Sequence, residues 1–145
     1  MFSLLLATGI RLGSLVALNS GDVNLAQGTV TITAKGGREE TVFLNKQLCR
    51  KVVCRTSDAP LFRSRGSGRL CPRQVQLRLR HWLKVAGIKK PLSVHSLRHT
   101  FATRLHAKTG DLRLVQRAPG HRHIATTEIY ARVEDKALRK ALASL

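Results

Sequence analysis

The sequence predicts one mainly α-helical domain with a small antiparallel β-sheet. A chain of 145 residues, 43% of them apolar and 23% charged, is long enough to bury a single hydrophobic core. Most of the chain carries helix start and stop signals. Two runs rich in β-branched residues, 29–33 (TVTIT) and 41–44 (TVFL), flank Gly36-Gly37, which predicts a β-hairpin turning at the glycines. Because all of 1–145 fits one core, we expect one domain.

The helices are bounded by residues that favour helix ends. Two short helical segments, 2–7 and 12–18, are separated by Thr8-Gly9. A third helix, 46–53, is capped by Asn45, and a fourth, 72–86, begins at Pro72 and ends before Gly87. A fifth helix, 94–107, is capped by Ser93 and ends before Gly110. A short helix follows Asp111 and stops at Pro119-Gly120, and one or two helices are predicted in 126–145. A glycine-rich basic loop, 63–70, precedes Pro72.

The charge of the chain predicts a polyanionic partner. Its 26 Lys and Arg against 8 Asp and Glu give a net charge of +18, and 19 of the basic residues but only four acidic ones lie in 61–145. An ordinary soluble surface mixes both signs, so this excess indicates nucleic acid. No apolar stretch is long enough to span a membrane, and the apolar start lacks the basic leader of a signal peptide. We therefore expect a cytoplasmic protein.

Metal chemistry is not expected from this sequence. The eight acidic residues are scattered, which does not favour a two-metal nuclease site. His121 and His123 lack a third ligand at usable spacing. Three cysteines, at 49, 54 and 71, form no CxxC pair, so neither a disulfide framework nor a zinc site is predicted. Any chemistry on phosphate would then depend on arginine, lysine and histidine.

Two segments could carry such chemistry. On a helix, His95, Arg98 and His99 share one face, beside an apolar stripe of residues 97, 101 and 105. Taken alone, this pattern favours a helix whose histidines and arginine are solvated. Tyr130 is the only tyrosine of the chain, and it could equally be a half-buried aromatic residue whose hydroxyl contacts water.

Taken together, five boxes in order resemble the catalytic domain of the tyrosine recombinases, the phage-integrase family. They are ATGIR (7–11), AKGGRE (34–39), HSLRHTFAT (95–103), Gly120-His121 and TTEIY (126–130). By this resemblance the family's six active-site positions are Arg11, Lys35, His95, Arg98, His121 and Tyr130.

The resemblance implies a mechanism as well as a fold. Arg11 and Arg98 would hold the non-bridging oxygens of a DNA phosphate, helped by His95 or His121. Tyr130 would attack the phosphorus to give a 3′-phosphotyrosyl intermediate, and Lys35 would protonate the departing 5′ oxygen. Because that intermediate keeps the energy of the broken link, no cofactor, metal or small-molecule substrate is expected.

The expected function is therefore that of a site-specific DNA recombinase or integrase of a bacterial or phage mobile genetic element. It would act as a homo-tetramer on paired duplex sites. The terminal segment 134–145 alternates apolar and basic residues at helical spacing, so it could pack on a neighbouring protomer or on its own core. Two alternatives stay open: a truncated or decayed relative that binds DNA without catalysis, and an enzyme like the type IB topoisomerases.

Three departures from the family's pattern bear on these expectations. An acidic residue usually follows the first arginine by three positions, where this chain has Ser14. A carboxylate there would orient or neutralise part of the cationic site, so we expect the serine to affect the placement of Arg11 and Lys35. Pro119 replaces a usual leucine, and we expect it to end the preceding helix early and to displace His121. The N-terminal core-binding domain of the family is absent from 1–145.

Overall fold

The computed structural model describes residues 1–34, 36–52, 58–66 and 68–118. Within these ranges the mainly helical fold with a small antiparallel sheet is confirmed. The helices and strands are α1 (Phe2–Thr8), α2 (Leu12–Ala17), β1 (Val23–Asn24), β2 (Thr29–Thr33), β3 (Glu39–Phe43), α3 (Lys46–Lys51), α4 (Pro72–Val85), α5 (Val94–Thr109) and α6 (Leu112–Arg117), with a 3-10 turn at Ser20–Asp22.

The sheet contains the predicted hairpin and one further strand. Its order is β1-β2-β3, all antiparallel, with Thr31 opposite Thr41. Strand β3 begins two residues before the prediction, because the two glutamates 39 and 40 pair with the end of β2. Strand β1 was not predicted, since two residues are too few to show an alternating pattern. Gly36 and Gly37 have φ angles of 87° and 76°, as a turn built on glycines requires.

The hydrophobic core lies between α1, α2, one face of the sheet, α4 and the start of α5. Its most deeply buried side chains are Leu5, Ile10, Leu15, Val30, Leu70 and Val75. A smaller cluster, Ala102 with Val115, packs α6 against the second half of α5. Burying these apolar side chains stabilises the fold by roughly 1.5–3 kcal/mol for each large one.

The helix caps predicted from sequence are present. The side chain of Asn45 accepts a hydrogen bond from the Leu48 N–H (2.9 Å), and Asp111 caps α6 in the same way. Ser93 accepts from the Ser96 N–H, and Gly110 ends α5 in the left-handed conformation. These local bonds fix where each helix begins and ends.

An arginine of the basic loop ties that loop to α2. The Arg69 guanidinium donates to the last carbonyls of α2, at 2.8 Å from the Val16 oxygen and 2.6 Å from the Ala17 oxygen. Its second nitrogen donates to the Asn19 side chain. Backbone carbonyls at a helix C-terminus carry partial negative charge, so a guanidinium is well suited to this position.

Two further findings concern the cysteines and the apolar length of the helices. Cys49 and Cys71 are free thiols. Across the described ranges, no helix is both long enough and apolar enough to cross a lipid bilayer.

Candidate active site

Three of the six sequence-predicted site residues line one cavity. Arg11, His95 and Arg98 surround a pocket of about 270 Å³ together with Gln76 of α4 and the apolar residues that flank them. Arg11 and Arg98 are far apart in sequence, so the fold itself brings them together.

The junction between α1 and α2 places Arg11. Gly9 ends α1 in the left-handed conformation (φ 65°), and its N–H donates to the Leu5 carbonyl at 2.9 Å. Ile10 is then inserted into the core, being 1% exposed. Arg11, the next residue, begins α2 as its N-cap and stays half-buried at the cavity wall. The buried neighbour thus fixes the direction in which the arginine leaves the core.

Helix α5 supplies His95 and Arg98 from one face. Val94 and Leu97 are buried in the core, which sets the rotation of the helix. Residues one position after each of these then project toward the cavity, as the helical spacing predicts. Within the predicted apolar stripe, Leu97 is buried and Phe101 packs directly against Gly9.

A hydrogen bond joins the two arginine segments. The Arg98 Nη1 donates to the carbonyl oxygen of Gly9, two residues before Arg11. Phe101, one turn further along α5, lies against the same glycine. The ATGIR box and the HSLRHTF box are therefore one structural unit, held by this bond and by the α1–α5 contact.

The two histidines of α5 contact each other. The rings of His95 and His99 meet edge to face with centroids 4.4 Å apart. The pKa of His99 is lowered below its ordinary value, mainly by burial and to a smaller extent by the charges of His95 and Arg98. His99 is therefore neutral at neutral pH, so the cluster avoids an additional positive charge beside Arg98.

The other predicted residues lie outside the described residues. These are Lys35, His121 and Tyr130, together with Pro119 and the terminal segment 134–145. The described neighbours of Lys35 form a closed turn, in which the Ala34 N–H donates to the Arg38 carbonyl at 2.7 Å. The assignment of Lys35, His121 and Tyr130 to the site remains a prediction from the family resemblance.

Sequence reasoning missed Gln76 and the partner of Ser14. Gln76 is an exposed residue of α4 that reaches the cavity wall, and no local pattern distinguishes it from a solvated glutamine. The Ser14 hydroxyl donates to the carbonyl oxygen of Thr33 at 3.0 Å. Both contacts join residues that are distant in sequence.

A larger cationic groove adjoins the site. It has a volume of about 780 Å³ and lies between α4 and the α4–α5 connection. Its cations are Arg80, Lys84, Lys89 and Lys90. Because Gln76 and Ser93 line both cavities, the groove continues from the wall of the smaller one. Among the described residues, no three His, Cys, Asp or Glu side chains come close enough together to hold a metal ion.

Comparison with known proteins identifies the family. A sequence model described as the phage integrase family matches residues 1–137. The chain belongs to the phage integrase family. Within it, the chain is 35% identical to the tyrosine recombinase XerC of Actinobacillus pleuropneumoniae, over 97% of this chain and 48% of that protein.

Solved structures agree with this membership. The crystal structure of XerA recombinase matches 98% of this chain and 54% of its own chain, with a TM-score of 0.78 and 32% identity. XerH site-specific recombinase, bound to its palindromic difH substrate in a post-cleavage complex, matches 98% of this chain and 44% of its own, with a TM-score of 0.77 and 27% identity. The chain thus has the fold of an integrase catalytic domain and spans about half the length of these relatives.

Proposed function

We propose that this chain is the catalytic domain of a site-specific DNA recombinase, which cleaves and rejoins duplex DNA through a 3′-phosphotyrosyl intermediate. The observation that carries the proposal is the convergence of Arg11, His95 and Arg98 on one cavity in a chain of this family. The relative XerH, a site-specific recombinase, is bound to its palindromic difH substrate in a post-cleavage complex, which supports a duplex DNA substrate here.

The cavity is chemically suited to a phosphodiester under attack. Charge accumulates on the two non-bridging oxygens as a fifth oxygen approaches the phosphorus. Arginine offers a planar, permanently charged fork for such oxygens, and Arg98 is already oriented by its bond to Gly9. A donor held in place before the reaction needs no reorganisation, and removing one such donor typically costs about 10²–10³ in rate.

The remaining steps are assigned from the family resemblance. Tyr130 would attack the phosphorus and lose its proton to a histidine base. The bond to the 5′ oxygen would break as Lys35 protonates that oxygen. Rejoining reverses each step, so no net proton or phosphate is consumed.

The cationic groove would hold the DNA backbone next to the reacting phosphate. Its four cations line the groove only, and the groove meets the smaller cavity at Gln76, Ser93 and Val94. Phosphates on either side of the cleaved link would then be neutralised by Arg80, Lys84 and the two lysines 89 and 90. The net charge of +18 fits this role. Acting on such DNA, the chain would work in the cytoplasm of a bacterium.

We further propose that four copies act together on two sites. Exchange between two duplexes breaks four strands, and each chain has one tyrosine. Each copy can therefore form one covalent link at a time, which supports one copy at each of the four strands. Mass photometry of the complex with two DNA sites should give four chains, whereas an active monomer would contradict this proposal.

A trapping experiment tests the catalytic proposal. The full chain is incubated with a pool of nicked duplexes whose sequence is randomised around the nick. After cleavage the short fragment diffuses away, so the covalent complex accumulates and survives denaturing gel electrophoresis. Sequencing of the trapped DNA gives the preferred site, and peptide mapping gives the attached residue.

The expected result is an adduct on Tyr130 that is lost in Tyr130→Phe and reduced about 10²–10³-fold in Arg98→Ala. Arg104→Ala is the matched control, because Arg104 lies on the same helix but is exposed and does not line the cavity. Binding without any adduct would overturn the proposal in favour of a non-catalytic DNA-binding protein. Relaxation of supercoiled plasmid by monomers, without exchange between sites, would support the topoisomerase alternative.

A further inference from the structure

Ser14 connects the helix that begins at Arg11 to the strand that leads to Lys35. Its Oγ donates a hydrogen bond to the Thr33 carbonyl oxygen at 3.0 Å. Thr33 is the last residue of β2 and precedes Lys35 by two positions. Arg11, the N-cap of α2, is three positions before Ser14.

Helix α2 is firmly held by the core. Leu15, next to Ser14, is fully buried, and its N–H donates to the Arg11 carbonyl at 2.9 Å. Helix α2 also packs against β2. A group bonded to Ser14 is therefore fixed relative to Arg11.

The two glycines of the hairpin turn, in contrast, have open space beside them. At Gly36 and Gly37, no described atom lies within 4 Å of where a Cβ would stand. Two bonds within the described part of the turn close it, from the Ala34 N–H to the Arg38 carbonyl and from the Gly37 N–H to the Ala34 carbonyl. The direction of the turn is therefore set at its base, where Ser14 holds Thr33.

We infer that the Ser14 hydroxyl is a positioning group for Lys35, holding the base of the hairpin at a fixed place relative to Arg11. This inference rests on the proposed function. In that reaction the Tyr130 oxygen bonds to phosphorus, the bond from phosphorus to the 5′ oxygen breaks, and its electron pair stays on the oxygen. The Lys35 ammonium supplies the proton that this oxygen takes up.

The chemistry of the side chain explains why a serine can do this where a carboxylate could not. A hydroxyl can donate to a carbonyl oxygen, whereas an ionised aspartate or glutamate can only accept. The acidic residue that the family usually carries at this position would repel the Thr33 carbonyl. The departure at Ser14 is thus accompanied by a contact that is specific to a hydroxyl.

The test compares two nicked substrates that differ in one atom at the cleaved link. One has the natural 5′ oxygen, and the other has sulfur there. A thiol has a pKa near 8.5, far below that of an alcohol, so the sulfur leaves without protonation. Loss of the acid therefore slows cleavage of the oxygen substrate but not of the sulfur substrate.

For Ser14→Ala we expect about a 2- to 10-fold slower cleavage of the oxygen substrate, the equivalent of one solvent-accessible hydrogen bond. Cleavage of the sulfur substrate should match that of the unmodified chain. Ser14→Asp should behave in the same way or more strongly, and Ser14→Thr should restore the rate because it keeps a hydroxyl. Arg11→Ala should slow both substrates, since it acts on the phosphate oxygens.

Ser3→Ala, which removes an exposed hydroxyl from α1, is the matched control, and thermal unfolding checks that each variant is folded. The inference is wrong if Ser14→Ala slows both substrates equally or neither. If the unmodified chain gives no adduct with either substrate, the proposed function fails and this inference fails with it. The two failures are therefore distinguishable.

Discussion

Replacing Gly9 with alanine is the perturbation that tests the site's construction most directly. Gly9 has a φ of 65°, and a Cβ added there would lie 2.2 Å from Phe101 Cδ1. Its carbonyl also accepts the Arg98 hydrogen bond. One added methyl group therefore strains the backbone, collides with an aromatic ring and disturbs an active-site arginine.

The expected cost has two parts. A non-glycine residue in the left-handed conformation loses about 1 kcal/mol. Overpacking against Phe101 adds about 1–3 kcal/mol, because the ring must shift within a packed neighbourhood. The free energy of unfolding should fall by about 2–4 kcal/mol, which lowers the melting temperature by roughly 8–16 °C at about 4 °C per kcal/mol.

Substitutions at two other glycines separate the cost of backbone strain from the cost of overpacking. Gly110 has the same φ of 65° but meets no described atom within 4 Å, so Gly110→Ala isolates the backbone strain. Gly13 lies inside α2, and a Cβ there also meets no described atom within 4 Å, so Gly13→Ala should be neutral or stabilising. Urea unfolding of the three variants, followed by circular dichroism, gives the comparison.

The cleavage assay completes the test. Displacing the Gly9 carbonyl moves Arg98, and a shift of about 1 Å costs about 10²-fold in rate. If Gly9→Ala is no less stable than Gly110→Ala, the contact with Phe101 is wrong as described. If its cleavage rate stays unchanged while its stability falls, the carbonyl does not orient Arg98.

Three further predictions concern stability and DNA binding. Arg69→Ala should lower the free energy of unfolding by about 1–2 kcal/mol in urea unfolding, because the last carbonyls of α2 lose their donor, and Arg69→Lys should recover only part of it. Because folding lowers the pKa of His99, the protein should lose stability as the pH falls below about 6.5, the pKa of an unfolded histidine. His99→Asn should flatten this loss in urea midpoints measured from pH 7.5 to 5. An equal loss of stability in the variant would contradict the prediction. The affinity for DNA should fall steeply as the salt concentration rises, and Lys84→Ala should reduce the slope of log K against log salt concentration by about 0.9. Binding that does not depend on salt would contradict a contact between the groove and phosphates.

Much of the local structure was predictable because its causes are local. The β-branched run 29–33 forms a strand with the predicted bounds, and Asn45, Ser93 and Asp111 cap the helices that follow them. A cap depends on a side chain and a backbone group within three residues, so the sequence contains both partners. The net charge of the chain likewise indicates a nucleic-acid partner independently of the fold.

The sequence by itself determined the described helices, the hairpin, the sign of the net charge and the family to which the boxes belong. Only the tertiary structure decided that Arg98 bonds to the Gly9 carbonyl, that Phe101 fills the space a Cβ would need, and that Ser14 holds the end of β2. Each of these contacts joins residues on different elements. Their geometry depends on how the buried side chains pack those elements together, which no local pattern of residues specifies.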